Sequence, residues 1–524
     1  MEWDRELEKV REYIKQNRFE LLIFLAFCGL TLLVSCFHEP WYDELQAYAV
    51  AKGKISDILY LVPHYEGHPP LWYLILKFFQ LFSGNPEIVL RIPNLIIMYT
   101  AAWLLVFKSP FPKIIRGLLP FTYFLLYQYS VVCRPYGILF LALFGLAFLY
   151  KDRGRHPWIY TAFLALLASA SIYGMVLCTT ICIEWGISTL VTERISLKNF
   201  VMTDKRFLGM LILFFYCLGL SFMVYPADDC LYVEGLRMLE PWQRDLYFLF
   251  GVPADATLFN VFNYTSYSSN NIMGGYTFYA FVFGMYLTIE LLKFFYKNKK
   301  ILFFLLSYCA LAFAMYKIPH NVHHTGIMFG LFVYMFWCLI SENPNLKLSK
   351  PLQWILIILI PVQIYWSACA MSNDIQYSYS TSKPVVNFIK EHNLTKYKIM
   401  SGSDSNIPNV QWLSVETGAY FGRNIIYNFN IDEPEKLYFL RVKGGAANID
   451  IIYSKWIRAG IPDVYIGKTP HPRNRYIGEI MRIDEMVPAA TLRAGFIYKD
   501  DISGRTAYVF VRPKIMEEIF GNKN

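Results

Sequence analysis

Charged residues are scarce in this chain, and their scarcity argues against an ordinary soluble protein. Asp, Glu, Lys and Arg make up 17% of the 524 residues, whereas 55% are hydrophobic and 18% are aromatic. A typical soluble domain carries about 25% charged residues. The composition therefore predicts a polytopic membrane protein, with enough length left for one soluble domain.

Cysteine is absent after Cys369, although the chain contains ten cysteines. The hydropathy falls after Met371, so we expect a soluble domain over 372–524 that is not held by disulfides. Its mixed patterning predicts an α/β or α+β domain, with a hairpin turn in the run that ends at Gly504. The expected strands are 397–401, 425–428, 463–466 and 507–511, and the expected helices are 383–392 and 433–441.

Lys and Arg concentrate in short loops between apolar runs, and loops of that kind stay on the cytoplasmic side. The net charge of +9 therefore requires no nucleic-acid partner. The apolar runs predict about eleven transmembrane helices within 19–371, which leaves 1–18 in the cytoplasm and 372–524 outside the cell membrane. The run 71–82, in the first outer loop 38–87, is too short to cross, so we expect an interfacial helix there. The expected spans are 19–37, 88–107, 117–133, 135–150, 158–172, 174–191, 207–225, 274–295, 301–316, 325–341 and 352–371.

Two adjacent carboxylates, Asp43 and Glu44, follow the first span on the outer side. A hydroxyl group that attacks as a nucleophile needs a base to accept its proton, and either carboxylate can act as that base. The alternative is structural: Asp43-Glu44-Leu45-Gln46 has the form of a capping box, with Asp43 as the cap and Gln46 reaching back. His68-Pro69-Pro70 has a similar alternative as the first turn of a helix.

Basic side chains collect on the same side. Arg91 and Arg134 lie at the outer ends of spans beside prolines, where each binds phosphate or extends to the lipid headgroups. The histidines of Pro319-His320-Asn321-Val322-His323-His324 open the tenth span, and we expect them to share one helical face and to contact a phosphate group. A divalent ion near Asp43, Glu44 and His323 is an alternative, and so is an ordinary solvated loop.

The order of these motifs resembles that of the GT-C glycosyltransferases, more narrowly the protein O-mannosyltransferases and the aminoarabinose transferases of lipid A. The motifs that carry the resemblance are Asp43-Glu44, His68-Pro69-Pro70-Leu71, Arg91-Ile92-Pro93 and Arg134-Pro135-Tyr136. They cover about the first 150 residues. The chain has no counterpart of the mannosyltransferases' β-trefoil domain between Tyr225 and Asn271.

The resemblance implies an inverting transferase that moves a sugar from a polyprenyl-phosphate donor to a protein, glycolipid or cell-wall glycan on the outer face. Asp43 is then the general base, with Glu44 beside it. The expected donor-phosphate residues are Arg91, Arg134, His320, His323 and His324, and the expected substrate-pocket residues are Tyr42, His64, His68, Tyr136 and Asp228.

A transporter or lipid flippase is the alternative function for such a chain. A transporter places polar residues along a route through the membrane. Glu184, within the sixth predicted span, is the main residue of that kind.

Overall fold

The computed structural model describes residues 2–230, 241–261, 276–318, 320–402, 412–442, 449–469 and 475–521, and helices predominate in them. In chain order the α-helices are α1 Glu2–Gln16, α2 Arg18–Phe37, α3 Tyr42–Lys52, α4 Pro63–Glu66, α5 Leu71–Phe79, α6 Pro86–Trp103, α7 Lys113–Leu118, α8 Tyr136–Leu149, α9 Pro157–Ala170, α10 Ile172–Val191, α11 Leu197–Thr203, α12 Lys205–Val224, α13 Pro241–Leu246, α14 Val252–Asp255, α15 Tyr276–Lys297, α16 Ile301–Lys317, α17 Thr325–Glu342, α18 Lys350–Gln376, α19 Ser382–Glu391, α20 Trp412–Phe421, α21 Ile449–Ala459, α22 Arg475–Ile480 and α23 Pro513–Phe520. The strands are β1 Ile399–Ser401, β2 Val464–Gly467, β3 Val487–Tyr498 and β4 Asp501–Val511.

Seven helices among the described residues are long and apolar enough to cross a membrane, which makes this a multi-pass membrane protein. They are α2, α6 with its continuation to Lys108, α10, α12, α15, α17 and α18. Each falls on one of the predicted spans. Helices α8, α9 and α16 occupy three further predicted spans but have only 14, 14 and 17 residues, so the count of eleven stays a prediction.

The predicted span 117–133 is not one continuous helix. Helix α7 ends at Leu118, a short 3₁₀ turn covers Leu119–Phe121, and a π-helical turn covers Phe124–Gln128. Between the two turns Thr122 has extended backbone, with φ −67° and ψ 152°. Pro120 lies in the 3₁₀ turn and has no N–H to donate, which favours an interruption of the helix at this point.

The described residues form two compact units. One comprises those within Met1–Cys36, Asn94–Leu220 and Val233–Met371, and we call it the helical unit. The other comprises those within Phe37–Pro93, Ser221–Tyr232 and Ser372–Asn524, and we call it the mixed unit. The mixed unit therefore contains the first predicted outer loop as well as the C-terminal segment.

The mixed unit is built on a four-stranded sheet of order β1-β2-β4-β3. Strands β1 and β2 are parallel, and β4 is antiparallel to both β2 and β3. Side chains of β1, β2 and helix α21 meet in a buried cluster that includes Met400, Trp456 and Tyr465. Helix α3 is buried along nearly its whole length and packs against α5 and α20 of the same unit.

The patterning of 372–524 predicted some of these elements and missed others. Strands β1, β2 and β4 and helix α19 fall where they were expected, but β3 was not predicted. The expected strand 425–428 is a single bridge between Ile426 and Ile399. The hairpin turn lies at Lys499 and Asp500, at the start of the predicted run, and the rest of that run belongs to β4, which begins at Asp501.

The helix expected over 433–441 is absent from the structure, which has irregular backbone there. The side-chain amide of Asn430 donates to the carbonyls of Lys436 and Tyr438, at 2.6 and 3.0 Å. A side-chain amide that takes up these carbonyls offers the backbone an alternative to helical hydrogen bonds.

Candidate functional site

Helix α3 carries the two adjacent carboxylates in its first turn. Trp41 precedes the helix in extended conformation, and the helix ends where the N–H of Gly53 donates to the carbonyl of Val50 at 2.9 Å. Glu44 is fully buried, and its carboxylate accepts a hydrogen bond from the backbone N–H of Trp41 at 3.1 Å. Asp43 is only half-buried. The two carboxylates therefore differ in environment although they are neighbours in sequence.

The capping box predicted for Asp43 is wrong. Because the helix begins at Tyr42, Glu44 occupies its third position, from which a side chain can fold back to the residue before the helix. Gln46 does not reach back; its amide donates to the carbonyl of Phe439 at 2.8 Å and to Glu66 at 3.1 Å. The carboxylate of Asp43 is thus not the group that caps the helix.

His38 joins Glu44 to the end of helix α18. Its Nε2 lies 3.2 Å from a carboxylate oxygen of Glu44, and its Nδ1 lies 2.7 Å from one of Asp374. His38 and Asp374 are each 3% exposed and Glu44 is not exposed at all. Burial lowers the pKa of His38, but the charges of Asp374 and Glu44 outweigh it and raise the pKa to about 10. His38 is therefore an imidazolium, donating to both carboxylates.

Glu39, the next residue, is a second buried carboxyl group of this unit. It accepts hydrogen bonds from the backbone N–H of Lys383 and from the hydroxyl of Ser380. Burial is the largest effect on its pKa, and together with the nearby charge of Glu416 it raises the pKa to about 8. Glu39 is therefore protonated and uncharged at neutral pH, whereas its neighbour His38 is protonated and charged.

Arg91 lies in helix α6 within the mixed unit and has an acidic partner. Its guanidinium is 3.5 Å from the carboxylate of Glu87, one turn earlier. Glu87 also contacts Lys383 at 2.8 Å and accepts from the hydroxyl of Tyr420 at 3.3 Å. Two cations thus share one carboxylate.

Aromatic rings and cations surround the start of α3. The ring of Trp41 lies 5.4 Å from that of Phe496, and the guanidinium of Arg505 lies over both. The ring of Tyr42 lies 5.3 Å from that of Trp412, and the ammonium of Lys468 lies 4.4 Å from the centre of the Trp412 ring. Tyr42, predicted as a substrate-pocket residue, is itself buried.

The remaining predicted pocket residues of this unit lie after α3. Nδ1 of His64 donates to the carbonyl of Tyr225 at 2.6 Å. His68 is half-buried just before α5, and Asp228 is exposed in the loop after α12. The structure thus connects Glu44 and His38 directly.

The other predicted basic residues meet in the helical unit. The rings of His323 and His324 are 4.4 Å apart, and those of His320 and His324 are 5.6 Å apart. Tyr136 lies 5.5 Å from His324, and the guanidinium of Arg134 lies 6.0 Å from the ring of Tyr136. We call these five residues the histidine cluster.

The prediction that the three histidines share one helical face is wrong. Helix α17 begins at Thr325, and Val322–His324 form a 3₁₀ turn. The rings meet because the turn folds back, and the N–H of Asn321 donates to Nδ1 of His324 at 2.9 Å. A neutral His324 therefore carries its proton on Nε2. Burial lowers the pKa of His320 to about 3, so that ring is neutral.

Glu184 has a cationic partner in the helical unit. Its carboxylate accepts from the guanidinium of Arg153 at 2.6 and 3.2 Å, and from the hydroxyl of Tyr150 at 3.2 Å. Both acidic and basic partners are buried. This is the geometry of a two-point ion pair that holds helix ends together.

Sequence reasoning missed His38, Glu39 and Asp374. His38 and Glu39 did offer a signal, since they stand between the first span and Trp41, but Asp374 lies 336 residues after His38. Among the described residues, no group of three or more His, Cys, Asp and Glu side chains is arranged to hold a metal ion. The ion expected near Asp43, Glu44 and His323 stays a prediction.

Comparison of the chain with protein-family models, with curated proteins and with solved structures finds no match. The resemblance to GT-C glycosyltransferases therefore rests on the sequence motifs alone.

Proposed function

We propose that this protein is an inverting glycosyltransferase that uses a polyprenyl-phosphate-linked sugar, with Asp43 as the general base. The observation that carries the proposal is the contrast between its two adjacent carboxylates. Glu44 is buried and bound by the backbone of Trp41 and by His38, while Asp43 is half-buried in the same helical turn. A base must reach its substrate, and Asp43 meets that need on a helix held in place by Glu44.

The reaction is a single displacement. The acceptor hydroxyl attacks the anomeric carbon, its proton passes to Asp43, and the bond between that carbon and the phosphate oxygen breaks. Polyprenyl phosphate leaves with the electron pair, and the configuration at the carbon inverts. The leaving phosphate needs cationic or N–H partners, for which Arg91, Arg134 and the histidines at 320, 323 and 324 are the proposed residues.

The membrane supports a lipid-linked donor in particular. Seven candidate spans place the protein in a bilayer, and the bilayer can hold a polyprenyl tail. The basic loops of the sequence favour the cytoplasmic side, which leaves Asp43 on the outer side. We therefore propose that the reaction takes place on the outer face. The acceptor is a hydroxyl on protein, glycolipid or cell-wall glycan.

The transport alternative has less support. Glu184, the main charged residue within a predicted span, is held by Arg153 in a two-point ion pair. A carboxylate bound in this way is not available as a carrier along a transport route. The carboxylates and cations around α3 instead favour chemistry at one location.

The test is sugar transfer by purified protein from a panel of labelled polyprenyl-phosphate sugars, with host membrane extract as the acceptor source. Asp43→Asn should lower the rate by about 10²–10⁴-fold, the usual contribution of a general base. Asp484→Asn is the control, because it removes an exposed carboxylate of the same unit. Equal transfer by wild type and Asp43→Asn would refute the assignment of the base, and no consumption of any donor by folded wild type would refute the proposed function.

A further inference from the structure

Arg505 is held by aromatic rings and not by an acidic partner. Its guanidinium carbon lies 4.4 Å from the centre of the Phe496 ring and 5.4 Å from that of Trp41. Within the described part of the chain, its side chain makes no ion pair or hydrogen bond in addition to these ring contacts. It is half-buried on strand β4, and Phe496 lies on the paired strand β3.

Four other arginines of the mixed unit have carboxylate partners. Arg91 pairs with Glu87, and Arg458 pairs with Asp432. Arg482 and Arg512 both approach Glu485, at 2.6 and 3.7 Å. Arg505 therefore differs from these four arginines in having aromatic rings in place of a carboxylate partner.

The ring contacts of Arg505 are accompanied by no hydrogen bond from its guanidinium to a side chain or carbonyl of the described residues, so its five N–H groups remain for a ligand or water. One edge of a guanidinium presents two parallel N–H groups, which match two oxygens of a phosphate or carboxylate in a bidentate pair. A planar cation that is already oriented loses little freedom when an anion binds.

The position of Arg505 connects this edge with the proposed base. Trp41, under the guanidinium, is the residue before helix α3, and Asp43 follows two residues later. Near the same helix start, Lys468 lies over Trp412, whose ring contacts Tyr42. Two cations thus lie over rings at or next to the segment that carries Asp43.

We propose that Arg505 binds a phosphate group of the substrate that reacts at Asp43. The location of that substrate rests on the proposed function, whereas the binding of phosphate by Arg505 does not. The phosphate belongs either to the polyprenyl-phosphate donor or to a phosphorylated sugar of the acceptor. In both cases the C-terminal hairpin supplies a substrate-binding residue to the α3 segment, which gives the soluble part of the chain a role in recognition.

The experiment measures binding by full-length protein in detergent with two probes, polyprenyl phosphate and mannose 6-phosphate. Arg505→Ala should weaken the binding of one probe at least tenfold. Arg505→Lys should weaken it about threefold, because lysine keeps the charge but not the planar fork. Arg493→Ala is the matched control: Arg493 is exposed on the other strand of the same hairpin, and its removal should change affinity less than twofold.

The two probes separate the sources of the phosphate. Loss of polyprenyl-phosphate binding assigns Arg505 to the donor, and loss of mannose 6-phosphate binding assigns it to the acceptor. Affinities of Arg505→Ala equal to those of wild type for both probes, or no binding of either probe by wild type, would overturn the proposal. A thermal unfolding midpoint of Arg505→Ala equal to that of wild type shows that lost binding is not lost folding.

Failure of this proposal differs from failure of the proposed function. Asp43→Asn should still bind the probe, because Asp43 acts on the acceptor proton. If Arg505→Ala abolishes binding but no donor is consumed by wild type, the phosphate site stands and the transferase does not. If transfer proceeds and binding is unchanged in Arg505→Ala, the transferase stands and the phosphate site does not.

Discussion

The surroundings of His38 in the mixed unit and of His324 in the helical unit show two ways to bury a histidine. His38 lies between Glu44 and Asp374, and their charges keep it protonated. His324 lies among the rings of Tyr173, Tyr136 and His323. The first arrangement builds a charged network, and the second builds a largely uncharged aromatic site.

The two environments suit different roles, support of helix α3 by His38 and ligand binding by His324. A histidine that donates to two buried carboxylates has no N–H left for a substrate, so His38 serves to hold helix α3 in place. The Nδ1 of His324 accepts from a backbone N–H, so the neutral ring carries its proton on Nε2. We therefore expect changes at His38 to act on stability, whereas the proposed role of His324 at the donor phosphate implies that changes there act on ligand binding.

The largest expected effect is on folding. His38→Ala leaves Glu44 and Asp374 as buried charges without their shared cation, and loss of one member of such a group costs about 3–5 kcal/mol. Chemical unfolding of the detergent-solubilised protein measures this change. His64→Ala is the control, since His64 makes an exposed contact to one carbonyl, and it should cost less than about 1 kcal/mol. Equal losses of unfolding free energy in His38→Ala and His64→Ala would contradict the structural role of His38.

The second prediction concerns pH and Glu39. Its pKa is raised from 4.5 to about 8 in the folded protein, mainly by burial. Between these values the unfolded chain loses the proton that the folded chain keeps, so stability is fully present below pH 4.5 and is lost as the pH rises to about 8. The loss is on the order of a few kcal/mol.

Glu39→Gln isolates this contribution, because it removes one titrating group while His38, Lys383 and Glu416 remain. The free energy of unfolding, measured at intervals from pH 5 to pH 9, should fall less steeply with pH in the variant than in wild type. Parallel pH profiles would contradict the assignment of a raised pKa to Glu39.

The smallest expected effect is on binding at the histidine cluster. His324→Ala should weaken the binding of polyprenyl phosphate about tenfold, which corresponds to about 1.4 kcal/mol for one lost hydrogen bond to a charged group. Tyr173→Phe is the control, because it keeps the ring next to His324. Unchanged affinity together with lower stability would make His324 a structural histidine like His38.

Much of the helical architecture was predictable because it depends on local hydropathy. Seven predicted spans coincide with helices long enough to cross a bilayer. The interruption after Pro120 was not predicted, because the apolar run itself continues through it. In the C-terminal segment, β4 was predicted from its own pattern, whereas β3 was missed, and the two are joined along their length in one hairpin.

The candidate site was predictable only in part, for a related reason. The adjacency of Asp43 and Glu44 is visible in the sequence, but the choice between them is not. It depends on where helix α3 begins: the helix starts at Tyr42, two residues earlier than a cap at Asp43 requires, so Glu44 and not Gln46 is the side chain that folds back to the residue before the helix. The histidines at 320, 323 and 324 do meet, though by a 3₁₀ turn and not by helical spacing.

The sequence by itself determined that the chain enters a membrane and that paired carboxylates follow its first span, because hydropathy and adjacency are local properties. Only the tertiary structure decided which groups surround them. The charge on His38 depends on Asp374, 336 residues away, and Arg505 reaches Trp41 through the C-terminal hairpin. Contacts of this kind form when the chain folds, since burial and charge then act between residues that no local pattern relates.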